Sequence, residues 1–430
     1  MFVDLSGFTR LTESLMAKGP VGAEELSDVL NHIFQPTVEL VYQQGGFIPY
    51  FAGDSFTAIF PSATGGLTGA LNSAQSILAR FSQNRKNPDS ILLEHHIGIK
   101  IGLSQGEVEW GIVGQRRKGY YFQGDPIDGC AQAQTKANSL EAVADTAFLR
   151  LLDPALFEVK DLGEGFYKIA IDPDQPTANT PERAIVLPVP DAKVSADFLP
   201  KEVFENQQIG EFRNVVSVFI SFEGVRSHES LDHFASIVLD QSENFGGYFK
   251  EIDFGDKGGV MFCLFGAPIA FENNTERALE FVAAVRDDLS QLTELTGARF
   301  RVGMASGQAF TGVIGSIERC QYAAVGARVN LGARLMMQAE WGEVLSDENV
   351  SRNRNFKFSY RGDGYFKGFE NKLPTYVLTG RNLAGKASFS GDCFGRAGDL
   401  ERLFEFAQPL HENRFAGMAY ICLLYTSRCV

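Results

Sequence analysis

The chain repeats itself at an offset of about 200 residues, and this limits its folds more than any other feature. Gly45-Gly46-Phe47-Ile48 returns as Gly246-Gly247-Tyr248-Phe249. Ile99-Lys100-Ile101-Gly102-Leu103-Ser104-Gln105-Gly106 returns as Phe300-Arg301-Val302-Gly303-Met304-Ala305-Ser306-Gly307, and Gly124 returns as Gly326. The opening line, Phe2-Val3-Asp4-Leu5-Ser6-Gly7-Phe8-Thr9, is echoed by the apolar run ending in Ile220-Ser221-Phe222-Glu223-Gly224. Solenoid units are far shorter, so this is one domain present twice. At 430 residues the chain also exceeds one typical core. The expected division is a first domain over 1–178, a linker over 179–209 and a second domain over 210–380. A different region starts at 381 and runs to 430. The Pro- and Asp-rich stretch at 172–190 marks the boundary.

Within the first copy the pattern alternates between strand and helix. Residues 2–5 read as a buried strand punctuated by Ser6-Gly7. Apolar residues recur at helical spacing over 21–42, and Gly45-Gly46 stops that helix. Residues 47–60 read as two strands turning at Gly53-Asp54. A second helix is expected over about 69–81, strands over 97–106 and 108–113, and a further helix after Gly124.

The copies differ in their polar groups. Asp4 has Ser221 as its counterpart, while Asp128 and Gln132 correspond to Asn330 and Arg334. Taken alone, an Asp at a strand end either caps the following helix or holds a cation, and capping is the commoner case. A duplicated core has no reason to put acids in one copy and an amide and a guanidinium in the other. A site shared between the copies does, and it turns the reading of Asp4 toward a cation.

Bulk properties exclude some classes. Hydrophobic residues make up 44% and charged residues 21%, as in an ordinary globular protein. The net charge of −14 argues against a general nucleic-acid binder. No apolar run is long enough to span a membrane, and no signal peptide opens the chain. The six cysteines show no metal-ligand spacing, and the expectation is reduced thiols in a cytoplasmic protein. Both ends read as cut, with the opening strand lacking a first half and residues 422–430 carrying no stop signal. The expectation is a fragment whose last residues are not all native.

Phe2-Val3-Asp4-Leu5-Ser6-Gly7-Phe8, Gly53-Asp54 and Val329-Asn330-Leu331-Gly332-Ala333-Arg334-Leu335 together resemble the class III nucleotidyl cyclase catalytic domain. The tandem, unequal arrangement is most similar to soluble adenylyl cyclases, and the resemblance covers about residues 1–380. It implies an α/β (α+β) fold, with two ferredoxin-like domains packed head to tail as an intramolecular pseudo-heterodimer. It also implies the conversion of a nucleoside triphosphate, ATP in preference to GTP, into a 3′,5′-cyclic nucleotide and pyrophosphate. In that chemistry the 3′-hydroxyl attacks the α-phosphate with the help of two Mg²⁺ or Mn²⁺ ions. By resemblance, Asp4 and Asp54 bind the metals, with the Leu5 carbonyl helping. Ser6, Gly7, Phe8 and Thr9 cradle phosphate at a helix start. Arg334 faces the charge growing on the α-phosphate, and Asn330, one turn earlier, orients the ribose. Lys100 and Lys367 stand where the family places cations for the outer phosphates.

Departures from the family pattern concern the base and the regulator. Adenine-selective members carry a Lys in the second hairpin, where the ungapped register puts Glu251, the residue type of guanylyl cyclases. Moving Lys250 into that position flips the strand face and aims its side chain the other way. The second selector position is Ala323, which accepts no hydrogen bond. Members that respond to bicarbonate carry a Lys and an Arg where this chain has Tyr50 and Ala131, which counts against that response. The second pocket has Ser221 and Gln132 in place of an acid and the arginine, so the resemblance implies an inert pocket open to a regulator. Residues 393–403 resemble the opening segment of the P-loop NTPase region that often follows such pairs. Gly380-Arg381-Asn382-Leu383-Ala384-Gly385-Lys386-Ala387 lacks the hydroxyl of a P-loop. A rival reading is a non-catalytic nucleotide-binding module for that C-terminal ATPase.

Overall fold

A computed structural model of the chain describes residues 1–87, 90–153, 157–171, 191–205, 210–225, 227–255, 258–291, 297–316, 318–367, 369, 371–382, 397–411 and 414–419. Residues 179–190 and 206–209 of the expected linker, 383–387 of the near-P-loop and 393–396 of the NTPase-like segment lie outside these residues. The chain divides into a large unit, Met1–Asn382, and a second, Leu383–Val430, whose described part is chiefly the helix Ala397–His411.

In chain order the first copy runs β1 (Phe2–Ser6), α1 (Phe8–Met16), α2 (Pro20–Gln43), β2 (Phe51–Ala52), β3 (Ser55–Thr57), α3 (Gly66–Lys86), α4 (Ile91–Glu94), β4 (Gly98–Leu103), β5 (Glu109–Val113), β6 (Gly119–Gln123), α5 (Asp125–Lys136), β7 (Glu141–Asp145), α6 (Thr146–Leu149), β8 (Val159–Gly163) and β9 (Phe166–Ile169). Two short helices follow, α7 (Ala192–Phe198) and α8 (Lys201–Glu205). The second copy runs β10 (Glu211–Glu223), α9 (His228–Asn244), β11 (Tyr248–Gly255), β12 (Gly258–Phe265), α10 (Asn274–Gln291), β13 (Arg299–Gly315), β14 (Cys320–Val325), α11 (Ala327–Gln338), β15 (Val344–Asp347), α12 (Glu348–Ser351), β16 (Phe356–Gly364) and β17 (Leu373–Arg381).

The two sheets have the same strand order, β2-β3-β1-β4-β7-β9-β8 and β11-β12-β10-β13-β15-β17-β16. In each, the first long strand, β1 or β10, is antiparallel to both its neighbours, and one βαβ crossover makes the single parallel pair among the described residues, β4 with β7 and β13 with β15. Helices cover the sheet faces, giving the mixed α/β architecture that the family resemblance implied. The expected elements all appear, with the helix placed at 69–81 extending over Gly66–Lys86. Helix α1 belongs to the first copy alone. In the second, the strand passes through Gly224 to α9, whose N-terminus Ser227 caps.

Each copy lends a hairpin to the other. β5–β6 reaches the second copy, where Val113 and Tyr121 join the core of Val218, Val238 and Met261. The β13–β14 end reaches the first copy, where Phe310, Ile314, Ala323 and Val325 join the core of Leu30, Phe34 and Phe51. The two large cores are therefore built from both repeats, and neither copy keeps its apolar surface covered alone.

The sequence argument about Lys250 is corrected by a β-bulge. Phe249 pairs with Cys263 and Glu251 with the very next residue, Phe262, leaving Lys250 as the extra residue of β11. The bulge suspends the strict alternation of side chains. Lys250 and Glu251 consequently meet, Nζ to Oε2, at 2.5 Å, with side chains only 2% and 10% exposed.

The repeated glycines 102 and 303 are explained by close packing. A Cβ on Gly102 would lie 1.9 Å from the Cys130 carbonyl oxygen in α5, and one on Gly303 would lie 2.1 Å from the Met336 nitrogen in α11. Helix backbone cannot step aside as a side-chain tip can. Gly303→Ala is expected to destabilise the chain by at least about 2 kcal/mol through overpacking. A urea-unfolding midpoint equal to wild type would refute this account.

Candidate active site

The first copy's acids are brought together by β1 and the β2–β3 hairpin. Asp4 lies opposite Ser55 on β3 and Lys100 on β4. The Leu5 amide donates to the Asp54 carbonyl at 3.1 Å, which fixes the hairpin tip against the end of β1. Gly53 makes this turn with a positive φ of 68°. Asp4 and Asp54 are each half-buried.

Burial, and then the charge of Asp54, push the Asp4 carboxyl up to about 7, with Lys100 and Lys367 pulling the other way. Burial likewise raises Asp54 to about 6 against its own backbone amide, Lys367 and Arg334. The second copy thus supplies cations to the first copy's acids. Arg334, on α11, is in turn drawn below its usual value by burial and restored in part by Asp54. Its guanidinium donates to the Lys367 carbonyl, so the two cationic residues are fixed to each other. Asn330 stands one turn earlier on α11, half-buried, its amide bonded to the Gly326 carbonyl.

Gly7 stands before α1 with φ 89° and, as a glycine, offers no side chain to cap that helix, whose first amides have no acceptor within the helix. Phe8 points the other way, into the core. The side chain of Thr9 lies outside the described ones. Ser6 is half-buried beside Gly98, on whose Cβ position its hydroxyl encroaches.

The residues proposed for the base form a different arrangement. Ala323 is packed in the shared core, 1% exposed. Lys250 donates to the Phe51 carbonyl at 2.7 Å as well as to Glu251. Glu251 also accepts from Gln321 at 3.1 Å. Lys250, Glu251 and Gln321, but not Ala323, border a cavity of about 1010 Å³ on the seam between the copies, with Tyr50, Tyr120, Tyr248 and Arg319 on its wall. Asp4, Asp54, Asn330 and Arg334 do not line it.

At the position that matches Asp4 in the second copy, Ser221 is 1% exposed, and its hydroxyl has no partner among the described residues. Its cross-strand neighbour Arg301, at the position of Lys100, donates to the Met337 and Ala339 carbonyls at 3.1 and 3.2 Å and lies over Trp341. The sequence reading of Tyr50 gains a partner here, since its hydroxyl donates to Asp253 at 2.5 Å.

Sequence reasoning missed Gln134, whose Nε2 donates to Asp4 Oδ2 at 2.8 Å. The available signal was a polar residue on the apolar face of α5, one turn beyond Cys130. It also missed Arg319 and Gln321, which stand in a turn and a short strand with nothing local to single them out.

The donor set suits divalent cations of the Mg²⁺ or Mn²⁺ kind. Such ions take hard oxygen ligands, and two carboxylates that burial keeps partly protonated gain most from a cation. Among the described residues no group of three or more His, Cys, Asp or Glu gathers, here or elsewhere, so the side-chain acids of this site are the pair alone.

The sign of the pH effect follows from Asp4. Its folded pKa lies above the unfolded value, so its favourable contribution is complete below about pH 4 and is lost as pH rises through about 7. Without divalent cations, Asp4→Asn is therefore expected to stabilise the chain at pH 8 by roughly 1–3 kcal/mol after solvent screening, and not at pH 4. Denaturation at both pH values checks this, and an equal effect at the two would sink it.

Known proteins resemble this chain over most of its length. The family model for the adenylate and guanylate cyclase catalytic domain matches residues 1–171 and 257–380. Adenylate cyclase type 10 of Mus musculus is 25% identical over 476 residues, covering 99% of this chain and 27% of the relative. The Homo sapiens protein of the same name is 25% identical over 438 residues, covering 89% of this chain and 26% of the relative. The chain thus spans only about a quarter of the length of these curated relatives. Among solved structures, the adenylyl cyclase CyaB from P. aeruginosa is 18% identical with a TM-score of 0.37, covering 40% of this chain and 97% of that one. No helix among the described residues is long and apolar enough to cross a membrane. With the family model matching most of its length in both repeats, the chain belongs to the adenylate and guanylate cyclase catalytic domain family, as a tandem pair resembling adenylate cyclase type 10.

Proposed function

We propose that the two domains form one nucleotidyl cyclase site, which converts ATP to 3′,5′-cyclic AMP and pyrophosphate. The observation that carries this reading is the electrostatic coupling of Asp4 and Asp54 in one copy to Lys367 and Arg334 in the other. Asp4 and Asp54 would hold two divalent cations, which when bound supply a lowered 3′-hydroxyl pKa and screening of the phosphates. The amides after Gly7, with Lys100 and Lys367, bind the outer phosphates. Asn330 orients the ribose so that the 3′-oxygen faces the α-phosphorus. The 3′-oxygen loses its proton and bonds to that phosphorus, and the bond to pyrophosphate breaks. Arg334 presents planar donors to the charge that grows on the α-phosphate.

The opposite pocket is proposed to be inert. Ser221 cannot replace a metal carboxylate, and Arg301 is already bonded to carbonyls. A second reading, GTP as substrate, has one observation in its favour. Glu251 occupies the selector position where guanylyl cyclases carry that residue, although here Lys250 neutralises it.

Product formation from ATP and from GTP with Mn²⁺ tests the proposal. Asp54→Ala and Arg334→Ala are each expected to lower kcat by about 100-fold or more, since each removes a group that acts on the reacting phosphate. Equal product from wild type and Asp54→Ala, or none from a folded wild type, would leave only a nucleotide-binding module.

A further inference from the structure

Residues 48–51 lead directly into the hairpin that ends at Asp54, and β2 is the outer strand of its sheet. An outer strand leaves backbone groups unpaired on one side. Here side chains of the second copy take up that side. Arg319 donates to the Ile48 carbonyl at 2.9 Å and to the Pro49 carbonyl at 2.5 Å. Gln321 accepts the Phe51 amide at 3.0 Å, and Lys250 donates to the Phe51 carbonyl at 2.7 Å. The three side chains are also linked together, Arg319 to Gln321 at 3.2 Å and both Lys250 and Gln321 to Glu251.

The matching positions in the other direction make no such set. Lys250 corresponds to Pro49 and Gln321 to Gly119, neither of which has a polar side chain. Arg319 corresponds to Arg117, which bonds instead to Glu243 and to the carbonyls of Ala196 and Leu199. The clamp therefore acts on one copy only, and that copy carries Asp4 and Asp54.

We propose that Arg319, Gln321 and Lys250 are positioning residues that hold the Asp54 hairpin in metal-binding register, so that the second copy sets the geometry of the first copy's metal acids. Lys250 then serves the hairpin and not the base. The proposal rests on the reading of Asp54 as a metal ligand.

The test uses Mn²⁺ alone, followed by electron paramagnetic resonance of the free ion, on the whole chain, with Asp54→Ala giving the background. Arg319→Met and Lys250→Met are expected to weaken Mn²⁺ binding about tenfold, the usual scale for groups that orient a ligand, while Lys250→Arg retains it. Variants that stay folded yet bind Mn²⁺ as wild type does would overturn the proposal. A measurement on wild type alone covers variants that fail to fold. The Phe51 amide is expected to be protected from hydrogen exchange, and exchange at the rate of an exposed edge amide would also overturn it. A wild type that binds no Mn²⁺ counts against the cyclase reading, while Phe51 exchange still decides for or against the clamp.

Discussion

Placing two carboxylates side by side and half out of water is unfavourable twice over, through lost hydration and through mutual repulsion. Asp4 and Asp54 endure both, and the structure offsets the cost with charge brought from another domain. Lys100 belongs to their own sheet, but Arg334 and Lys367 come from the second copy. The acids are thus tolerable only where the two repeats meet. Much of the architecture serves that meeting, including the exchanged hairpins, the shared cores and the bonding of Arg334 to the Lys367 carbonyl.

Duplication gave the chain two equivalent seams, and polar substitution made them unlike. On one side lie acids, a helix start, and a cationic partner helix. On the other lies a buried serine whose neighbouring arginine is occupied by backbone carbonyls. The apolar framework barely registers the difference. Gly102 and Gly303 admit their helices to the same close distance, and the strand orders coincide. Hydrophobic burial and backbone packing hold the symmetry, and charge breaks it.

The fold was largely legible because its signals are local or repeated. Glycines at matching offsets, helical spacing over α2 and the Gly53-Asp54 turn each state their structure within a few residues. The acids and Arg334 stood out for another reason, since the motifs that hold them resemble those of a known family. Lys250 was misread because a bulge depends on the partner strand, so counting along one strand cannot find it. Gln134 was hidden because its meaning depends on which helix face meets β1. Arg319 looked like an ordinary turn residue until the carbonyls of another domain were placed against it. What the sequence hides here is long-range pairing of side chains with backbone, which has no period to detect.

Between the copies, α7 is fastened down. Arg117 donates to the Ala196 and Leu199 carbonyls, and the Lys118 amide to the Asp197 carbonyl at 2.9 Å. α7 is thereby anchored on the β5–β6 hairpin, the part of the first copy that lies on the second. Two separate domains would meet only as fast and as fully as their concentration allowed. Joined through an anchored segment, each has its partner at a fixed effective concentration, set by the length and stiffness of the connection. Pairing of the two copies then becomes a property of the single chain.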